Sequence, residues 1–560
     1  MQIYKDEWLP NLKDSVPVEA FGYTVSMYSI ALEGWRRGLN LKFINKNRRK
    51  SEIEYSLEFN GKERKFSVTR GDLVPKEAIK VCINKDLTKK LLIESNVPTP
   101  EGEVFEKEVE DNEIIEFAKK LGFPVVIKPS NGTGGAGVIA NIKDEIEFRD
   151  SLIYVRHELN FPKVIVEKFY NGEDYRLYVI GNEVTGAFKK IPANVIGDGE
   201  NTIKTLIKIK NEQRNNTPAL HKRTIKIDKE LHNMLKSQNY TLESTPTIGE
   251  QVFLKSKNNV SAGGDSVDIT EELTDEIKKI AIKASNAIPG LVQCGVDMIV
   301  DNANNSGVIL EVNSRPHITA HLFPWHGQAR DIPKSIIDYY FPETKDMSLE
   351  QQNLFYFDFK HIFDTFQSGI AKEITIPKVP SGVILSKIFH LIGDLNKVSY
   401  CKWIRKTCRD LHLNGSVQYT QHGVDIVASG SFESISKISE ILKGDSPQNT
   451  LVKSVEECDW TKPVKIGFEI NEEYKSGENV DSNTETKIKY LRDGYFPLKI
   501  SEKTNKSKGN SKSKTIKKER KNLNEDYYKK KYNMVIKSTS WRITKPLRFF
   551  GRLIKKIKNN

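Results

Sequence analysis

Two short apolar runs on either side of a polar turn commit the middle of this chain to an antiparallel sheet. Gly295 to Val300 (GVDMIV) and Gly307 to Asn313 (GVILEVN) flank Asp301 to Ser306, a polar stretch of the kind that turns a chain between antiparallel strands. A symmetric hairpin centred on Asn304 sets Asp297 opposite Glu311. The strand period of two then puts Val308, Leu310 and Val312 on one face and Ile309, Glu311 and Asn313 on the other. One face packs, and the other presents carboxylates beside an amide oxygen. Such a hard oxygen set suits magnesium, which takes few protein ligands and leaves room for substrate phosphates. The same pattern also fits a buried hairpin whose two acids are simply solvated.

The chain has 560 residues, too many for one core of ordinary size, so about two to four domains are expected. It is 38% hydrophobic and 29% charged, and no run approaches the ~18 apolar residues of a bilayer-spanning helix. The opening MQIYKDEWLP lacks the basic-then-apolar pattern of a secretory signal, so a cytoplasmic location is expected. Cys82, Cys294, Cys401, Cys408 and Cys458 form no CxxC pair, which argues against a zinc site or a disulfide framework. The net charge is +13, and much of the excess lies near the C-terminus. That asymmetry points to an anionic surface as partner for the tail alone.

Residues 1–80 mix short apolar runs with hairpin-like segments and read as an α/β lead-in domain. From Val81, VCINKDLTKKLLIESNVPTPEG reads as a strand, then a helix with Leu87, Leu91 and Leu92 on one face. Lys85 falls at their junction, where a lysine can reach an anion. FPVVIK (Phe123 to Lys128) is a strand, PSNGTGGAG follows, and VIANI (Val138 to Ile142) is strand-like again. Gly132, Gly134 and Gly137 match GxGxxG, but a dinucleotide fold needs a helix after the third glycine and here a strand follows. A glycine-rich turn between antiparallel strands has another use: its backbone can close over a triphosphate, with Lys128 just upstream. A flexible hairpin turn with an incidental lysine is the alternative. VIVEKF (Val164 to Phe169) is a further strand.

The order of these pieces, with VIVEKFYNGEDYRLYVI, AFKKIPANVIGDG, SAGGDSVDIT, GVDMIV and VILEVNSRPHITAH, resembles the ATP-grasp superfamily over residues 81–342. Within it the chain is similar to the ATP-grasp domain of cyanophycin synthetases and bifunctional glutathione synthetases. The resemblance implies an ATP-dependent carboxylate-amine ligase working through an acyl phosphate, with ATP and magnesium or manganese as cofactors. It implies that Lys85 and Lys128 hold the nucleotide phosphates and that Gly132, Gly134, Gly135 and Gly137 cover them. Glu167, with the backbone of Lys168 and Phe169, would read adenine, and Asp174 the ribose. Lys189 and Lys190 fall where the family places arginines near the γ-phosphate, keeping charge but losing the bidentate fork. Asp297, Glu311 and Asn313 match the metal ligands. The family usually has small residues and a glycine after the EVN motif. Here Ser314, Arg315, Pro316 and His317 stand there, so Arg315 and His317 are expected to act on the acid. Between Asn211 and Gly249 a basic segment with His221, Lys222 and Arg223 reads either as a substrate-facing insertion or as a solvated helix and loop.

Residues 343–376 read as a connector. Residues 377–470 give the order βαββαβ of a ferredoxin-like sandwich, with Ile435, Ile438 and Leu442 on one helix face and Ser431 as its cap. KVSYCKWIRKTCRDLHLNGSVQYTQHGVDI resembles acylphosphatase, but Cys401 stands at the phosphate-cradling arginine and Tyr419 at the water-positioning asparagine. The resemblance therefore implies an inactive module, with Lys402 or Arg405 as either residual anion binders or ordinary helix surface. The fold class is thus α/β and α+β multidomain, an ATP-grasp fold followed by an acylphosphatase-like domain. Residues 471–530 have the composition of a disordered basic linker. In 531–560 a helix would gather Leu547, Phe550, Ile554 and Ile557 against Arg548, Arg552, Lys555 and Lys556, preceded by Trp541. That pattern suits an anionic membrane at the cytoplasmic face, or equally an RNA or a partner protein; no nucleic-acid recognition motif backs the RNA reading. SWRITKPLR also resembles tails of surface-polysaccharide glycosyltransferases, which suggests work on a cell-surface polymer or peptide. The expected partners are therefore a small-molecule carboxylate and an amine, with self-association left open. The alternative is a nucleotide-binding platform for surface-glycan enzymes.

Overall fold

The structure is a computed structural model that describes residues 8–47, 52–130, 137–347, 354–395, 397–420, 423–444, 447 and 450–471. Gly132, Gly134 and Gly135 lie outside the described residues, as do the linker beyond residue 471 and the amphipathic segment at 531–560.

The first core forms around helix Thr24–Arg36, in which every residue from Val25 to Arg36 is buried. A helix buried on all sides must be covered all round. One cover is the sheet of Asn40–Asn47, Glu52–Phe59, Lys62–Ser67 and Arg70–Gly71, to which Glu373–Thr375 adds an edge strand. Another is helix Ile332–Tyr340. The third comes from the stretch expected to be a connector. Phe355, Phe357, Phe359, Ile362 and Phe366 are all buried in this core, and the Phe357 ring lies 4.9 Å from Tyr28 and 5.6 Å from Trp35. The aromatic side chains of residues 355–366 therefore complete the N-terminal core, while Phe355–Tyr356 also pairs with Val464–Lys465. The fully buried Arg36 ties them in, donating from Nε to the Phe355 carbonyl at 2.8 Å.

A second expectation also changes. Val81 to Ile83 is not a strand but the end of helix Lys76–Ile83, because the preceding KEAIK extends a helical period. Asn84 then breaks and restarts the chain. Its side chain accepts from the Asp86 and Leu87 amides, capping helix Lys85–Glu94. The buried face of that helix is Thr88 and Leu92, while Leu87 is exposed.

Two antiparallel sheets follow. The smaller runs Gly102–Phe105, Val164–Lys168, Val125–Pro129, Ile139–Ile142 in spatial order, with Asp111–Leu121 and Glu145–Ile153 sharing its core. The larger runs Asp265–Asp268, Glu183–Ile191, Glu173–Ile180, Gln293–Asp301, Ser306–Asn313, backed by helix Asp275–Asn286. A small module with its own core, residues 194–254, is inserted between the strands of this sheet. It is pinned to the sheet by the buried Lys210, 2.7 Å from Asp265.

The last sheet orders Leu451–Asp459, Ile384–Asp394, Gly423–Ser431, Asn414–Tyr419 and Phe468–Asn471. The first four pair antiparallel, and with helices Lys397–Asp410 and Phe432–Gly444 they make the βαββαβ sandwich. Phe468–Asn471 adds a parallel edge strand. Ile435, Ile438 and Leu442 are buried together, and Ser431 Oγ accepts from the Ser434 amide at 3.2 Å.

Candidate active site

The hairpin that opened the sequence reading is present, with Asp297 paired to Glu311 and Gly295 to Asn313. Its faces are not those expected. The register slips between Asp297 and Met298, so that Met298 opposes Ile309 and Leu310 becomes the extra residue of a bulge. Ile309 and Val312 consequently both join the core, and Leu310 turns outward. One more residue on the outer edge brings Leu310 and Glu311 into a cleft between the two sheets. Lys85, Thr88, Lys89, Val104, Lys128, Ile165 and Glu167 line its other walls.

Within this cleft Glu167 is buried and gripped by two lysines. Lys89 lies 3.0 Å away, and Lys128 makes the shorter ion pair. Burial opposes ionisation of Glu167, yet the charges of Lys128 and Lys89 outweigh it and hold the carboxyl below its usual range. The adenine reading assigned to the backbone of Lys168 and Phe169 meets an obstacle on the amide side. The Lys168 amide donates to the Glu101 carbonyl at 2.8 Å and the Phe169 amide to the Pro124 carbonyl at 3.0 Å. Both donors are committed within the fold, and Lys168 Nζ is turned to the Gly122 carbonyl at 2.7 Å. Gly137, at φ +71, lies against Pro129; a Cβ there would lie 2.8 Å from the proline ring.

The remaining predicted residues gather on the larger sheet. Arg176 grips Asp297 with its fork, Nε to Oδ1 at 2.8 Å and Nη2 to Oδ2 at 2.5 Å. Lys190 bridges Asp297 at 2.6 Å and Asp174 at 2.8 Å. Asn313 donates its amide to Asp297 Oδ2 at 3.1 Å, leaving the amide oxygen for another partner. Burial alone would raise the Asp297 carboxyl, but Arg176 and Lys190 hold it far below the ordinary carboxylate range. Asp174 goes the other way: burial raises it, Lys190 only partly offsets that, and the nearby Asp297 charge raises it further. In this structure Asp174 is thus an ion-pair partner within the metal-acid cluster. Lys189, its side chain on the opposite face of the strand, pairs with Glu173 and takes no part in the cluster. Arg315 is exposed and donates to Ser67 Oγ at 3.3 Å.

The hairpin joins the two groups: Glu311 faces the lysine-lined cleft and Asn313 the Asp297 cluster. Among the described residues no ion pair engages Glu311. A carboxylate turned into the cleft and an amide oxygen are hard oxygen donors, while both oxygens of the neighbouring Asp297 are held by Arg176, Lys190 and Asn313. Two contributors had not been anticipated. Lys89 sits four residues after Lys85, on the same helix face, and that spacing was readable. Arg176 supplies the fork that Lys189 and Lys190 lack, but its place opposite Asp297 depends on strand pairing.

Residues 82–201 and 254–337 match the RimK-like ATP-grasp domain, and residues 387–470 match acylphosphatase. The glutathione biosynthesis bifunctional protein of Clostridium perfringens is 30% identical over 350 residues, 60% of this chain and 43% of that protein. The cyanophycin synthetase of Crocosphaera subtropica is 33% identical over 272 residues, 47% of this chain and 31% of that one. The chain therefore spans less than half the length of these curated relatives. A crystal structure of a bifunctional glutathione synthetase from Pasteurella multocida aligns at 24% identity with a TM-score of 0.43, covering 54% of this chain and 42% of that one.

Proposed function

Starting from a chain that carries a RimK-like ATP-grasp domain ahead of an acylphosphatase domain, we propose that the protein is an ATP-dependent carboxylate-amine ligase. The observation that carries this reading is the hairpin, which sets Glu311 in a cleft with Lys85, Lys89 and Lys128 while presenting Asp297 and Asn313 beside it. In the proposed reaction a substrate carboxylate attacks the γ-phosphate of ATP, ADP leaves, and an amine displaces phosphate from the acyl phosphate to form the amide. Asp297, Glu311 and Asn313 would hold magnesium or manganese, whose chemistry here is to neutralise charge on the phosphates. Lys85 and Lys128 orient the triphosphate, and Lys190 adds positive charge where the phosphoryl group transfers. Walls from Val104, Ile165 and Leu310 keep water from the intermediate.

We assign no hydrolytic role to the acylphosphatase domain. Cys401 is fully buried, and its thiol is hydrogen-bonded to the Tyr419 side chain. The two positions where the enzyme family carries its working groups are here filled by one neutral pair. A hydrolase at that place would consume the intermediate its neighbour makes. Work on a cell-surface polymer or peptide, and attachment of 531–560 to an anionic membrane, belong to the same proposal. A chain ending at Ser540 should lose binding to anionic vesicles. No helix among the described residues is long and apolar enough to cross a membrane.

The test is release of ADP by purified protein with magnesium, ATP, and panels of acids and amines. Release should require both acid and amine, and Glu311→Gln should lower it about 100-fold or more. ATP binding without release across the whole panel would leave the nucleotide-binding platform as the better reading.

A further inference from the structure

Beside the Asp297 cluster lies a concentration of positive charge that, among the described residues, forms no ion pair with an acid. Three separate parts of the chain build it. The loop after Asn313 brings Ser314, Arg315 and His317. The turn between Lys62–Ser67 and Arg70–Gly71 brings Ser67 and Arg70, and the inserted module brings Arg223. Arg223 stacks on the Tyr23 ring at 3.8 Å, and the His317 ring lies 4.4 Å from the same tyrosine. Arg70 donates to Ser314 Oγ at 3.3 Å, and Arg315 to Ser67 Oγ at 3.3 Å, so each segment grips the other. Thr69 closes the joint with a buried bond to the Pro316 carbonyl at 2.8 Å.

Among the described residues none of Arg70, Arg223 and Arg315 has an ion-pair partner. Arg223 Nη2 and His317 Nδ1 are buried without any hydrogen-bond partner. Guanidinium groups repel one another at close range and lose hydration when crowded, so the fold holds this arrangement at a cost. The turn that delivers Ser67 and Arg70 carries a second cost, since Val68 stands at φ 58, a region a β-branched residue rarely enters. Burial, and then the charges of Arg223, Arg315 and Arg176, push the His317 imidazole down to about 4. The cluster therefore borders the residue that grips the metal acid.

We propose that Arg70, Arg223 and Arg315, with Tyr23 and His317, form a subsite for a second anionic group on the acid substrate. The carboxylate activated at the metal site would then belong to a dianion, either a dicarboxylic acid or a phosphorylated acid. This rests on the ligase reading above, and it assigns to the inserted module, through Arg223, the task of selecting the acid. The module's residues 202–253 are those the RimK-like ATP-grasp match leaves out.

The test uses the full-length protein saturated with magnesium and ADP, titrated by calorimetry with matched acids. Glutarate against butyrate and glutamate against glutamine probe a second carboxylate. Phosphoglycerate against glycerate probes a phosphate. In at least one pair the more highly charged member should bind about 10- to 100-fold tighter, the range of a charge-assisted bond. Arg223→Gln and, independently, Arg315→Gln should bring that ratio close to one while nucleotide affinity holds. Equal affinity within every pair overturns the subsite, as does a preference that survives both substitutions or no binding of any dianion at millimolar concentration. ADP release separates the two proposals. A dianion that binds with the predicted preference yet drives no release counts against the ligase and not the subsite. Release driven equally by both members of each pair counts against the subsite and not the ligase.

Discussion

His321 shows how a single side chain sets a property of the whole. It is fully enclosed beside Phe188 and Tyr178, and neither ring nitrogen has a hydrogen-bond partner. Burial, helped by the charges of Arg176 and Arg330, pushes its imidazole down to about 3. The unfolded chain binds a proton at an ordinary ~6.5, so between those values protons favour unfolding. Stability is therefore full above pH 6.5 and falls as pH drops, by about 1.4 kcal/mol per pH unit from this residue. His317 adds to the slope above about 4. Urea midpoints measured at pH 7 and pH 5 should separate in the wild type and lie closer together in His321→Leu, the remainder coming from His317; an unchanged separation would show the slope to come from elsewhere. At this scale the sequence pointed to Asp297 and Glu311 as partners, but the turn itself pairs Asp301 with Ser306, and it is the bulge at Leu310 that brings Asp297 opposite Glu311. The sequence was silent about Arg176, which meets Asp297 only through the pairing of strands more than a hundred residues apart in the chain.

Elements were legible where their signals were local. The Ser431 cap and the βαββαβ element order follow from residues within a few positions of each other. The bulge at Leu310 was not legible, because strict alternation suits the apolar pattern of VILEV equally well and only the tertiary core chooses between Ile309 and Leu310. Residues 81–83 misled for a related reason: three apolar residues in a row fit a strand or the last turn of a helix. The hairpin also depends on Gly295, where a Cβ would come within 2.7 Å of the Pro316 side chain. Gly295→Ala should thus push the loop carrying Arg315 and His317 off the strand. We expect a loss of about 1–3 kcal/mol in stability and a larger proportional loss in ligase rate than in ATP affinity. Equal losses of rate and affinity would mean that the whole cleft, not the loop, had moved.

For the molecule as a whole, the prominent feature is that the first core is built from both ends of the ATP-grasp region. Phe357 touches Tyr28, Trp35 and Phe43, so Phe357→Ala should cost about 3–5 kcal/mol. Chemical denaturation should show that loss in the unit containing Trp35, leaving the acylphosphatase unit, with its own core, nearly unchanged. That second unit should not hydrolyse acetyl phosphate above the rate in buffer, since a thiol and a phenol fill its two working positions; measurable turnover would refute the assignment. The two resemblances were readable from motif order, but the role of residues 355–366 was not, because an aromatic run does not say which core it enters. The separation in the chain also has a bearing on biosynthesis. Arg36 must wait for Phe355, 319 residues later, before its guanidinium finds its acceptor. At ordinary translation speeds that is a delay on the order of tens of seconds. The helix Thr24–Arg36 leaves the ribosome well before the residues at 355–366 that complete its enclosure, so the nascent chain presents an apolar segment to chaperones for as long as the two intervening sheets take to be synthesised.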